Sequence, residues 1–72
     1  MIDMDKTNRG FGRGSFIDRY GEKCSIQDSS LATEECIWLG VDSNRMHLTV
    51  EMAQELIVVL QRFVETGSVG EA

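Results

Sequence analysis

Apolar and polar residues alternate in four short stretches in the middle of the chain. These stretches are "SFIDRY" from Ser15, "CSIQD" from Cys24, "CIWLGV" from Cys36 and "RMHL" from Arg45. Alternation at a period of two is typical of strands with one covered face, and the intervening "GEK", "SSLATEE" and "DSN" are rich in turn-forming residues. The pattern therefore predicts a four-stranded antiparallel sheet connected as a meander.

The period changes after the fourth stretch. Thr49 can accept a backbone N–H as an N-cap, Glu51 lies where the helix dipole favours a negative charge, and Gly67 can form a left-handed C-cap. Between these ends, at about 100° per residue, one side of a helix collects the apolar residues Met52, Ala53, Leu56, Ile57, Val59, Leu60, Phe63 and Val64. The sequence thus predicts an α+β fold in which one C-terminal amphipathic helix packs on one face of the sheet.

Residues 1–14 are polar and glycine-rich without periodicity, so we predict a flexible Gly/Arg arm (1–14), a ββββα domain (15–67) and a tail (68–72). The stretch "TNRGFGRGSF" is not a dinucleotide-binding fingerprint, because Ser15 replaces the third glycine and no strand is predicted before it. Two interpretations stay open. The arm is a flexible leader, or Arg9 and Arg13 use it to grip a phosphate.

Alternation also sorts the strand residues onto two faces. The face under the helix is predicted to hold Phe16, Tyr20, Cys24, Ile26, Ile37, Leu39, Val41, Met46 and Leu48. The other face carries Trp38 with Arg19, Arg45 and His47, beside Ser25, Gln27, Cys36 and Gly40. An aromatic plane next to guanidinium groups can hold a nucleobase and its phosphate. We therefore predict ligand contacts from Trp38, Arg19, Arg45, His47, Arg9 and Arg13.

The same face allows a second interpretation, because Trp and Arg are enriched at protein interfaces. A chain of 72 residues buries little core, and such chains usually depend on a disulfide, a metal or a second copy. Two cysteines and one histidine lack the spacing of a metal site. We therefore expect no metal or cofactor, and a homo-oligomer formed through the face that carries Trp38. No apolar run resembles a leader or a membrane span, so we also expect a cytoplasmic protein with reduced thiols.

Charge and the remaining polar residues narrow the functional classes. The net charge of −5 disfavours binding of duplex nucleic acid. No local catalytic pattern surrounds the candidate base His47 or the candidate nucleophiles Cys24 and Cys36, so no enzyme is predicted. The hydroxyls of Ser29, Ser30 and Thr33 are expected to cap their own loop rather than bind an anion. The acidic helix residues Glu51, Glu55 and Glu65 offer an alternative surface for a protein partner.

Two segments, "FIDRYGEKCSIQDSSLATEECIWLG" and "RMHLTVEMAQELIVVLQRFVETG", resemble a family of small proteins encoded by tailed bacteriophages and prophages. The resemblance covers Phe16 to Gly67 and implies a phage origin and expression in the host bacterial cytoplasm. By analogy with other small phage proteins, it implies stoichiometric binding that counteracts a host anti-phage system. Such a protein sequesters a small anionic or nucleotide ligand, or blocks a host protein. A structural or regulatory phage component without a ligand is the remaining alternative.

The chain departs from that family in one place. Many relatives carry a longer insert between the segments that correspond to "IWLG" and "RMHLT", whereas here Val41 to Asn44 alone intervene. A function carried by that loop is therefore reduced or absent in this member, which gives the sheet face more weight.

Overall fold

The computed structural model describes residues 1–70. It contains β1 (Asp3–Lys6), β2 (Gly12–Ile17), β3 (Lys23–Asp28), β4 (Cys36–Val41), β5 (Asn44–Thr49) and α1 (Val50–Thr66). The strands form one antiparallel sheet in the order β1-β2-β3-β4-β5, and α1 follows β5 directly. The predicted α+β class, with an antiparallel meander and one C-terminal helix, is confirmed. Within residues 1–70, no helix has both the length and the apolar character needed to cross a membrane.

The predicted number of strands is wrong, because the segment assigned to the arm contributes a fifth strand. Asp3–Lys6 pairs with residues 12–15 of β2, and the hairpin turn is closed by Thr7 N–H donating to the Phe11 carbonyl at 2.8 Å. Gly10 takes the positive φ of 87° that this turn requires. The predicted boundary after residue 14 therefore falls inside β2.

Gly14 shows why a glycine-rich segment can still be a strand. A Cβ at this position would lie 2.8 Å from Ile2 Cγ2, 2.8 Å from Met4 Sδ and 2.9 Å from Ile26 Cγ2. These distances are shorter than real Cβ contacts, so three neighbouring side chains occupy the space that the missing side chain leaves. Gly14 is a packing position rather than a loop signal.

The helix has the ends that the sequence predicts. The Thr49 hydroxyl accepts the N–H of Met52 at 3.2 Å, and Glu51 lies in the first turn. Gly67 has φ 79° and donates its N–H to the Phe63 carbonyl at 2.8 Å. Both caps satisfy backbone groups that the helix itself leaves unpaired.

The sorting of side chains is confirmed for β3, β4 and β5 by their register. We call the side with Met4, Gly14, Phe16, Cys24, Ile26, Ile37, Leu39, Val41, Met46 and Leu48 the apolar face. The polar face is the side with Arg13, Ser25, Gln27, Trp38, Arg45 and His47. Tyr20 is not on the apolar face as predicted and is 89% exposed. The reason is that the Asp18 carboxylate accepts the N–H groups of Tyr20 and Glu22, which turns the chain directly after β2.

The helix covers little of the apolar face. Its main contacts are with β5, and none of its residues is buried. A groove of about 870 Å³ separates the first half of α1 from the sheet and the β3–β4 loop, with apolar lining from Leu31, Ala32, Ile37, Leu48, Ala53 and Ile57. Cys24 is the one buried hydrophobic residue among residues 1–70. The amphipathic pattern predicts the helix correctly but not how completely a single chain covers its apolar side.

Candidate functional site

A row of four residues crosses the polar face of the sheet. The register aligns Arg13 on β2 with Gln27 on β3, Gln27 with Trp38 on β4, and Trp38 with His47 on β5. The indole and imidazole rings are stacked, with their centroids 4.0 Å apart and an angle of 12° between their planes. His47 Nε2 also lies 2.9 Å from the Ser29 hydroxyl. The imidazole is therefore held by both a ring and a hydroxyl, and it fixes the orientation of Trp38.

The next row runs from Ser15 and Ser25 through Gly40 to Arg45. Gly40 has φ 141°, and a Cβ there would lie 3.3 Å from the Arg45 Cα. Because no side chain stands between Ser25 and Arg45, the guanidinium of Arg45 reaches across β4. Its Nη1 donates to Gln27 Oε1 at 3.0 Å and to Ser25 Oγ at 3.3 Å.

Two arginines converge on one acceptor. Arg13 Nη1 donates to Gln27 Oε1, the same oxygen that Arg45 uses. The Asp42 carboxylate accepts the Ser25 hydroxyl at 2.7 Å and lies 3.6 Å from Arg13 Nη2. Both guanidiniums thus donate to one neutral amide oxygen, and Arg13 alone also has a carboxylate partner. This leaves donor capacity and positive charge beside the Trp38 ring, and the Arg45 guanidinium carbon is 5.7 Å from the centroid of that ring.

A cavity of about 320 Å³ opens at the edge of this cluster, beneath the β1–β2 turn. It is lined by Thr7, Asn8, Arg9, Phe11, Gln27, Asp28, Ser30 and Trp38. The guanidinium carbon of Arg9 lies 5.9 Å from the Phe11 ring centroid. The volume is at the lower end of the range typical of small-molecule sites, roughly 300 Å³ and above. It suits one ring or one phosphate rather than a large ligand.

The structure brings most of the predicted site residues together. Trp38, Arg45 and His47 form one cluster, Arg13 joins it because β2 begins at Gly12, and Arg9 lies on the cavity wall. Arg19 does not reach this cluster. It lies in the exposed turn beyond the Ile17–Lys23 pair, which is four positions, about 13 Å, from the Arg13–Gln27 pair.

The sequence analysis did not identify three residues that contribute to the hydrogen-bonded cluster around Arg13 and Arg45. Gln27 and Gly40 were placed on the correct face without a role, and Asp42 resembles any acidic turn residue. The register supplies the missing information, since Gly40 is the position that Arg45 must cross to reach Ser25. A glycine inside an otherwise strong strand was the one signal available, because glycine in a strand often marks a close approach of another group.

The two cysteines are free and lie on opposite faces of the sheet. Cys24 is paired with Val41, five positions along β4 from Cys36, a separation of about 17 Å that excludes a disulfide within the chain. Burial raises the pKa of the Cys24 thiol, as do the carboxylates of Asp18, Asp42 and Glu22. Burial and the carboxylates of Glu34 and Glu51 raise the pKa of Cys36. An activated nucleophile needs the opposite shift.

No cluster of three or more His, Cys, Asp or Glu side chains suited to a metal ion occurs in the described part of the chain. Comparison of the sequence and structure with protein-family models, curated proteins and solved structures finds no match. A functional hypothesis therefore depends mainly on the side chains of the polar face.

Proposed function

We propose that this chain is a non-enzymatic binding protein that takes up a small anionic ligand of the nucleotide class on its polar face. The observation that carries the proposal is the convergence of Arg13 and Arg45 on Gln27 Oε1 beside the stacked Trp38 and His47 rings. An anion can replace the neutral amide oxygen as acceptor and gain charge-assisted hydrogen bonds from both arginines. The indole and the cavity beneath the β1–β2 turn supply an aromatic surface for a base.

The biological setting of the proposal comes from the resemblance to phage proteins. In an infected bacterium, a protein of this kind counteracts a host anti-phage system by sequestering a nucleotide signal. Such sequestration needs no catalytic group, and the raised thiol pKa values of Cys24 and Cys36 are consistent with a chain that does not use a cysteine nucleophile. The paired guanidiniums and the aromatic ring support this ligand class.

Trp38 gives a direct readout, because it is the one tryptophan of the chain. Titration with 5′-mononucleotides, cyclic dinucleotides and inorganic phosphate is followed by Trp38 fluorescence. We expect saturable quenching by a nucleotide and a weaker response to phosphate alone. Arg13→Gln and Arg45→Gln should each weaken binding by about tenfold or more, since a hydrogen bond from a charged group contributes roughly 1.5–3 kcal/mol.

Arg19→Gln is the matched control for these variants. It removes the same charge from an exposed turn outside the cluster, so binding should change by about twofold at most. A titration in which Arg19→Gln weakens binding as much as Arg45→Gln would contradict the proposed site. So would the absence of quenching by every probe.

A second candidate is a protein partner on the acidic side of α1. The observation that favours it is that Glu51, Glu55 and Glu65 all lie exposed on the side opposite the apolar stripe. Binding through these carboxylates weakens as salt rises and needs no small molecule. Retention of a host protein that is lost on Glu55→Gln and in high salt would support this candidate over the nucleotide ligand.

A further inference from the structure

The chain exposes much more surface than a compact protein of its mass. A folded monomer of 8.1 kDa is expected to have an accessible surface of about 4,500 Å², whereas this chain has 5941 Å². Its radius of gyration is 13.6 Å, against about 11 Å for a compact chain of this length. The excess of about 1,400 Å² is larger than the roughly 800 Å² that each partner contributes to a standard interface and falls in the range of obligate homodimers.

Exposed apolar side chains lie both on the apolar face and on the second half of α1. On the sheet, Met4 and Met46 of the apolar face are 68% and 53% exposed. On the second half of α1, Phe63 and Val64 are 51% and 74% exposed, on the side of the helix that points away from the acidic residues. One region is a sheet without a helix over it, and the other is a helix without a sheet beneath it.

We propose that a second copy of this chain covers the apolar face, so that the second half of each α1 packs on the β1–β2 region of its partner. A twofold arrangement satisfies both surfaces at once, because each copy offers the element that the other lacks. Shape agrees with this arrangement, since the chain measures 43 × 31 × 19 Å and so presents a long, flat surface to a partner.

Charge also favours self-association through this face. The charged residues at strand positions of the apolar face are Lys6 and Asp28, both at strand ends, and Asp28 Oδ2 is already occupied by the Gly12 N–H at 2.9 Å. Glu51, Glu55 and Glu65 lie on the other side of the helix. The contact is therefore apolar, and salt should strengthen it by screening the repulsion between two copies of charge −5. This face is opposite the one that the sequence analysis expected to pair, and the inference does not depend on the proposed ligand.

Sedimentation velocity of the wild-type chain and two helix variants tests the inference. Wild type should sediment as a dimer at micromolar concentration, with association unchanged or stronger in high salt. Phe63→Glu should shift the protein to the monomer, because it places a carboxylate in the contact. Val58→Glu is the matched control: Val58 is 58% exposed on the same helix but on the acidic side, so this variant should remain dimeric.

A measurement on the unmodified chain covers the case in which Phe63→Glu fails to fold. If the dimer is the folded unit, the melting temperature must rise with protein concentration, and dilution must reduce the folded fraction. A wild-type monomer, a melting temperature constant over a hundredfold dilution, or equal behaviour of Phe63→Glu and Val58→Glu would each overturn the inference.

Discussion

The two faces of this sheet are built in opposite ways. On the polar face, side chains from β2, β3, β4 and β5 are linked by hydrogen bonds, an ion pair and ring stacking, with Ser25 fully buried at the centre. On the apolar face, large side chains remain half exposed because α1 covers only the region near β5. The polar face is thus complete within one chain, whereas the apolar face lacks a partner. The proposed ligand and the proposed second copy would therefore use different sides of the protein.

The largest effect on the polar face is expected from Gly40→Ala. A side chain at φ 141° is strained and would also press on Arg45, so we expect a loss of about 3 kcal/mol in the free energy of unfolding. Gly10→Ala is the control, because Gly10 also has a positive φ but has no atom near its missing Cβ. It should cost about 1 kcal/mol. Urea denaturation of both variants measures the difference, and equal losses would show that the path of Arg45 over Gly40 contributes nothing.

Ser25→Ala is expected to have the next largest effect. It removes a buried hydroxyl that donates to Asp42 and accepts from Arg45, which leaves both partners short of a hydrogen bond. The loss should be about 2 kcal/mol. Its cross-strand neighbour Ser15 lies exposed on the same face, so Ser15→Ala should change stability by about 0.5 kcal/mol at most. If the two substitutions have equal cost, the polar network does not stabilise the fold.

The two cysteines lie on opposite faces and so report the accessibility of each side separately. Burial and nearby carboxylates raise both thiol pKa values above the usual 9.0, so alkylation should be slow at neutral pH and should accelerate as the pH rises past 9. Cys36 is half-buried and Cys24 is buried, so Cys36 should react first. Mass spectrometry of iodoacetamide-treated protein resolves the two sites. Fast labelling of Cys24 at pH 7 would mean that the apolar side opens readily.

Much of the fold could be predicted from local pattern. The period of two in β3, β4 and β5 and the capping residues Thr49 and Gly67 are local signals, and the structure follows them. The strand β1 (Asp3–Lys6) holds a single apolar residue, Met4, which is too short a pattern to predict a strand. It is a short, charged edge strand held by pairing with β2. Gly14 resembled a loop residue because its role depends on Ile2, Met4 and Ile26, which only the register brings together.

Some residues of the candidate site could likewise be predicted from local pattern, and others could not. Trp38, Arg45 and His47 follow from alternation alone. Arg13 was chosen for its charge and reaches the cluster because β2 begins at Gly12, before the predicted start at Ser15. Arg19 was misplaced because the Asp18 turn ends β2 before the alternation reaches it. An amphipathic helix pattern states that an apolar stripe exists. It does not state whether the same chain or another copy covers that stripe.

Native mass spectrometry of wild type, Arg45→Gln and Phe63→Glu tests the separation of the two faces most directly. Wild type and Arg45→Gln should both show twice the chain mass of 8.1 kDa, while Phe63→Glu should show the single chain. With a nucleotide present, wild type should gain the ligand mass and Arg45→Gln should not. A monomeric Arg45→Gln beside a dimeric Phe63→Glu would contradict the account, because the polar face would then hold the two copies together.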